Sequence, residues 1–244
     1  MSDRPTESET DCHQPLCSGG AVAFFEKHGQ SNFLEVCYAA APPRIRAALA
    51  EELAFLRRAL RGVGRGLEIG CGDGRLLEAL ADTSTRWVGL DLMESYLRYA
   101  RTGRQLDPGT GLAAGRAGKL PFAEGSFDAV VCAQNTWGLL GEEKLPTLRE
   151  AARVTRPGGK LLFVVYAEAS VVPRTEWYMD MQRRGLMAPL DWARSGPELL
   201  VTEDGHASEC FRGERLERLF REAGLTPRLQ PLGEVYWGVE AMRA

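Results

Sequence analysis

The apolar stretch Gly66 to Ile69 runs straight into the loop Gly70-Cys71-Gly72-Asp73-Gly74, and Arg75 to Ala81 continue at helical spacing. This strand, glycine loop and helix constrain the fold more than any other feature of the chain. Glycines let the backbone turn tightly and approach a ligand closely, and the helix start offers unpaired amide donors. Such a unit belongs to a parallel sheet, because the chain must cross back over the helix before pairing again.

The spacing narrows the ligand. A dinucleotide fingerprint needs Gly-x-Gly-x-x-Gly, and the third glycine position is Arg75, which would crowd a pyrophosphate. The glycines fall instead as Gly-x-Gly-x-Gly behind Glu68. A carboxylate there suits a cofactor carrying positive charge better than one carrying two phosphates.

The surrounding pattern supports the parallel sheet. Strands are predicted at Arg86 to Asp91, at Thr110 to Ala117 (weakly), at Phe127 to Ala133 and at Lys160 to Tyr166. Helices alternate with them: Glu94 to Ala100, stopping near Gly103, and Glu143 to Val154, ended by Arg156-Pro157-Gly158-Gly159. This rhythm predicts an α/β, doubly wound sheet with helices on both faces. Before it, Ile45, Leu49, Leu53, Leu56 and Leu60 mark a helix over Pro42 to Arg61. After it, Leu216, Leu219, Phe220 and Ala223 mark a helix capped by Gly224, and Val235, Trp237, Val239 and Ala241 alternate as a half-buried strand. The expected organisation is a flexible tail over 1–20, a helical cap over 21–61 and the main domain over 62–244. Residues 169–205 break the rhythm without clear period and read as a lid insertion.

Composition excludes several classes. Thirty basic and thirty-three acidic residues leave a net charge of −3 with no basic run, so no nucleic-acid partner is expected. No apolar run is long enough to cross a membrane, and the polar, acidic start is unlike a leader, so a cytoplasmic protein is expected. Six scattered cysteines read as free thiols, and Cys12, His13 and Cys17 lack a fourth ligand, so no metal is expected.

Four stretches, in order, carry a resemblance. LEIGCGDG, GLDLMESYL, LPFAEGSFDAVVC and EAARVTRPGGKLLF resemble the successive motifs of the class I S-adenosylmethionine-dependent methyltransferases, of the methyltransferase-11 type. The resemblance covers residues 62–167 and implies a Rossmann-like sheet of seven mostly parallel strands with the last antiparallel. It implies that Glu68, Gly70, Cys71, Gly72 and Gly74 cradle the methionine part of S-adenosylmethionine. Asp91 would accept both ribose hydroxyls, against the alternative of a helix N-cap, and Leu92 and Met93 would pack on adenine. Arg116 stands where relatives commonly have an aspartate that binds the adenine amino group. A guanidinium has donors only, so adenine is read by backbone, for instance the Ala117 amide, or Arg116 stacks on it. Gln134 would contact the methionine moiety or serve as a turn residue, and Trp137 stands near where relatives often carry a histidine.

Methyl transfer needs a base only when the nucleophile arrives protonated. His206 is the candidate base, because residues ahead of the helix near Gly213 should lie at the cofactor edge, and His28 is a second if the cap folds over the site. The substrate is expected to be a small molecule, met by Tyr38, Trp177 and Trp192 among the aromatic and thioether residues of the cap and lid, and by Asn135 and Trp137 after the fourth strand. The competing readings are RNA or protein methylation, and a non-catalytic methyltransferase-like subunit.

Overall fold

The computed structural model describes residues 19–28 and 32–244, with side chains of the first helix over 23–27. Among the described residues three helices precede the first strand: α1 (Gly19–His28), α2 (Phe33–Ala39) and α3 (Pro43–Ala59). Pro43 opens α3, where its missing N–H would have found no partner anyway. The alternating region follows as β1 (Arg65–Ile69), α4 (Arg75–Ala79), β2 (Arg86–Asp91), α5 (Glu94–Gly103), β3 (Gly111–Ala114), β4 (Phe127–Cys132), α6 (Lys144–Val154) and β5 (Thr155–Tyr166). Then come α7 (Val171–Arg183), the short strands β6 (Leu199–Val201) and β7 (Ala207–Glu209), α8 (Gly213–Glu222), β8 (Pro227–Leu232) and β9 (Tyr236–Met242).

Seven strands form one sheet in the order β3-β2-β1-β4-β5-β9-β8. The last strand, β9, pairs antiparallel with both β5 and β8, and the other pairings are parallel, as expected. The strand β5 shows why its run Leu161 to Tyr166 is apolar throughout. Leu161, Phe163 and Val165 face a core built with Leu148, Val154, Leu216 and Phe220 of α6 and α8. Leu162, Val164 and Tyr166 face the opposite core, built with Ile45, Leu56, Leu77 and Trp177. Period-two alternation thus feeds two buried faces, as a sheet covered on both sides requires. The edge strand β8 carries Pro227 and Pro231, which the ladder tolerates at an edge.

Two expectations need correction. Residues 169–205 are not aperiodic turns: they hold the thirteen-residue helix α7 and the first strand of the β6–β7 hairpin, and the chain rejoins the sheet where Phe211 N donates to Tyr166 O at 2.8 Å. The helical period was hidden because α7 inverts the usual pattern. It buries Arg174 with Trp177, Tyr178 and Met181 while turning Val172 and Met179 outward. The second correction concerns Arg156-Pro157-Gly158-Gly159, which ends α6 but already belongs to β5. There a register shift between Phe127 and Ala129 absorbs the extra residues as a bulge.

Candidate active site

The loops following β1, β2, β3 and β4 meet at one edge of the sheet, where open α/β sheets take their ligands. Gly70, Gly72 and Gly74 all adopt the left-handed region, with φ of +72°, +52° and +80°. Gly70 is also crowded, since a Cβ there would run into the Thr136 side chain. Asp91, at the end of β2, holds this loop: Oδ2 accepts from Gly72 N at 2.8 Å and Oδ1 from Met93 N at 2.8 Å. Asp91 is not the N-cap of α5, a place taken by Met93, but it holds the entry to that helix through Met93 N and lines two cavities as well. Burial raises its pKa, against the lowering effect of these backbone donors.

Two cavities adjoin along this edge. The first, about 660 Å³, is lined by Tyr38, Glu68, Gly70, Cys71, Gly72, Arg75, Asp91, Met93 and Gln134, among others. The second, about 730 Å³, is lined by Ile69, Leu90, Leu92, Met93, Arg116, Ala117 and Glu143, and shares Gly70 and Asp91 with the first. Gly74 lines neither, and its Cβ position abuts Ala100, so it packs the loop against α5.

The first cavity holds an unusual set of charges. Glu68 is 4 % exposed, and its Oε2 has no hydrogen-bond partner. Burial, together with Glu52, Asp91 and Asp73 nearby, pushes its carboxyl up to about 8 although Arg75 opposes the shift. Arg75 donates through Nη2 to Glu52 Oε2 at 3.5 Å and lies 4.9 Å from the Tyr38 ring centre, while its Nε has no acceptor. Glu52 is fully buried, accepts from Gln134 N at 2.8 Å and has its pKa raised by burial. Sequence reasoning missed both residues. Arg75 entered only as a steric obstacle. Glu52 sits seven residues after Ile45 on the apolar face of α3, and a carboxylate in that place was the available signal.

The turn after β4 bends sharply, with Gln134 and Asn135 at φ of +51° and +60°. Non-glycine residues held there store roughly 1 kcal/mol or more each and need external support. Asn135 supplies it, accepting from Tyr166 N and donating to Ser208 Oγ and Glu209 O, and Gly138 leaves the room it needs. Gln134 accepts a short hydrogen bond from Tyr38.

A third cavity, about 540 Å³, adjoins the first and shares Phe25, Leu34, Tyr38, Gln134 and Leu139 with it. Asn135, Trp177, Tyr178, Met181, Met187 and His206 also line it. His206 is 4 % exposed, with Nε2 3.4 Å from the Tyr178 hydroxyl and its ring 4.4 Å from that of Phe24. Behind this wall lies Arg174, which is fully buried, donates to Ser208 and stands 4.2 Å over the Tyr166 ring.

Other expected site residues fall elsewhere. Trp137 lines none of these cavities. It is fully buried on the opposite core, stacked on Phe211 at 5.1 Å with Nε1 donating to Lys144 O at 2.9 Å. Its indole fills the space between the β4 turn and α8, which an exposed loop reading could not foresee. Trp137→Phe is accordingly expected to lower stability by about 2 kcal/mol in thermal melts and to leave ligand affinity unchanged. Trp192 is 63 % exposed and lines none of the three cavities, and Met179 also points outward. His28 closes α1, but its side chain lies outside the described residues, as do Cys12, His13 and Cys17. Among the described residues no cluster fits a metal, the cysteines Cys37, Cys71, Cys132 and Cys210 are free and buried, and no helix is long and apolar enough to cross a membrane.

Comparison with known proteins places this geometry. Residues 67–163 match the family model described as a methyltransferase domain. The chain is 33 % identical over 138 residues to a demethylmenaquinone methyltransferase of Renibacterium salmoninarum, an alignment spanning 56 % of each chain. It is 32 % identical over 163 residues to the demethylmenaquinone methyltransferase of Streptomyces avermitilis, covering 62 % of this chain and 67 % of that one. The fold is shared with the crystal structure of a Burkholderia thailandensis 1,6-didemethyltoxoflavin-N1-methyltransferase at a TM-score of 0.63 and 17 % identity, covering all of this chain and 93 % of the other. The family match begins inside β1, takes in the glycine loop and Asp91 and ends in β5, so the chain belongs to the class I S-adenosylmethionine-dependent methyltransferases.

Proposed function

We propose that this protein transfers a methyl group from S-adenosylmethionine to a small organic nucleophile at oxygen, nitrogen or sulfur, releasing S-adenosylhomocysteine. One observation carries the reading. In a single cavity a buried carboxylate and a half-buried guanidinium each keep unused hydrogen-bonding capacity, at Glu68 Oε2 and at the shielded Arg75 Nε. Unmet buried polar atoms cost roughly 1–3 kcal/mol each, so a ligand of complementary charge is favoured. The ammonium and carboxylate of a methionine head are that complement. Asp91 between the two cavities suits ribose hydroxyls, and the apolar floor of Ile69, Leu90 and Leu92 suits a purine.

When bound, the sulfonium supplies a methyl group already activated by its charge. The protein then has mainly to align the partners and exclude water, which can be worth ~7–11 kcal/mol of barrier. The glycine loop and Asp91 fix one partner. Tyr38 and Gln134, shared by the first and third cavities, form the boundary at which the second must arrive. The aromatic and thioether lining of the third cavity orients a partly apolar molecule and keeps it dry. His206 is the titratable group of that cavity suited to take a proton from an attacking phenol, thiol or ammonium. Two proteins that the chain resembles are named for small molecules, demethylmenaquinone and 1,6-didemethyltoxoflavin, which supports this substrate class.

The test is calorimetric titration with S-adenosylmethionine and S-adenosylhomocysteine, followed by assays of S-adenosylhomocysteine release over a panel of phenols, amines, thiols and carboxylates. Binding in the micromolar range with turnover on panel members is expected, and no binding at millimolar ligand would overturn the reading. On an accepted substrate, His206→Gln is expected to lower kcat about tenfold and to remove the acidic limb of the pH–rate profile, with cofactor affinity unchanged. A surviving limb and rate would leave alignment as the whole of catalysis.

A further inference from the structure

The second cavity poses a chemical problem that its own residues solve. Its polar side chains are Asp91, Thr136, Arg116 and Glu143, set among apolar ones. Asp91 and Thr136 stand at the glycine-loop end, the first bound to Gly72 N and Met93 N, the second pressed against Gly70. The other end is left to Arg116 and Glu143, which form an ion pair through Arg116 Nη2 and Glu143 Oε1. A guanidinium only donates, so any amino group entering this end must find its side-chain acceptor in Glu143. The local backbone is shaped around that carboxylate. Arg116 and Lys119 close a tight turn, and at Gly118 within it a Cβ would stand 3.2 Å from Glu143 Oε2. Glycine there leaves room for the second oxygen beside the turn while Arg116 holds the first.

Taking the cofactor reading above as given, we infer that Glu143 accepts the hydrogen bond of the adenine 6-amino group, with Arg116 as its positioning residue. The acceptor thus comes from the segment entering α6 rather than from the loop after β3. The ribose and the methionine end are left to other residues in that reading, so this contact confers discrimination for adenine over other purines.

Calorimetry on the full chain separates this contact from the rest. The probes are S-adenosylhomocysteine and its 6-deamino analogue, a purine with hydrogen in place of the amino group and N1 unchanged. Wild type is expected to bind the analogue about tenfold more weakly, the worth of one charge-assisted hydrogen bond. Glu143→Ala should bind both compounds alike, near the level of wild type with the analogue. Glu143→Gln, nearly the same in shape and still an acceptor, should keep part of the preference and guards against loss of fold, which thermal melts monitor. Should Glu143→Ala retain the full preference for the amino compound, the inference is wrong while the cofactor reading stands. Should wild type bind neither compound, the cofactor reading itself fails and the inference with it.

Discussion

Asp91→Ala is expected to weaken S-adenosylmethionine binding about a hundredfold, roughly 3 kcal/mol, the loss of two hydrogen bonds to a charged group. The reasoning rests on both oxygens. One accepts from Gly72 N and the other from Met93 N, so the carboxylate shapes the glycine loop before any ribose arrives. The substitution removes a ligand contact and also frees the loop that frames the cavity. Thermal melting should fall as well, since two amides lose their acceptor. Asp91→Asn keeps one acceptor oxygen and should recover part of the melting temperature but little of the affinity. A dissociation constant for Asp91→Ala equal to wild type would remove Asp91 from the cofactor site altogether.

The second large effect is a pH dependence centred on Glu68. Burial pushes its carboxyl up to about 8 in the folded chain, whereas the unfolded chain releases the proton near the ordinary value of 4.5. Between these values the folded form binds more protons than the unfolded form. Stability from this group is therefore complete below about pH 4.5 and is lost as pH rises through about 8. At ~1.4 kcal/mol per pH unit and proton, the loss amounts to a few kcal/mol across the range. Glu68→Gln, neutral throughout, should flatten the curve, so the difference between wild type and variant grows from pH 5 to pH 8.5. The same proton couples to the ligand. A bound ammonium favours the carboxylate, so S-adenosylmethionine affinity should rise with pH up to about 8 and binding should release a proton. Calorimetry in buffers of different ionisation enthalpy measures that proton directly, and in Glu68→Gln it should vanish. Parallel stability curves for the two proteins would show that Glu68 is already ionised in the folded chain.

Gly70, Gly72, Glu68 and Asp91 were legible in the sequence as candidates, because each lies in or at the end of a strand that leads directly into a loop and helix. The sheet was legible too, since apolar runs such as Leu161 to Val165 can be satisfied only between two covered faces. Local spacing and the family resemblance together carried these features. Other features depend on which side of an element meets which neighbour, and only the tertiary structure decided them. Trp137 follows the β4 turn beside the site residues, yet its ring packs into the far core because Phe211 and Phe220 close around it there. The helix α7 hid its period because a buried arginine and outward valine and methionine cancel its amphipathicity. Arg75 and Glu52 stand far apart in the chain and acquire meaning as a pair only when α3 lies over the glycine loop. Glu143 pairs with Arg116 at one end of the second cavity for the same reason, and no local pattern could have joined them. Local periodicity carries the fold because backbone hydrogen bonding and burial repeat along the chain; the site's charges are set by single contacts between distant segments, which do not repeat.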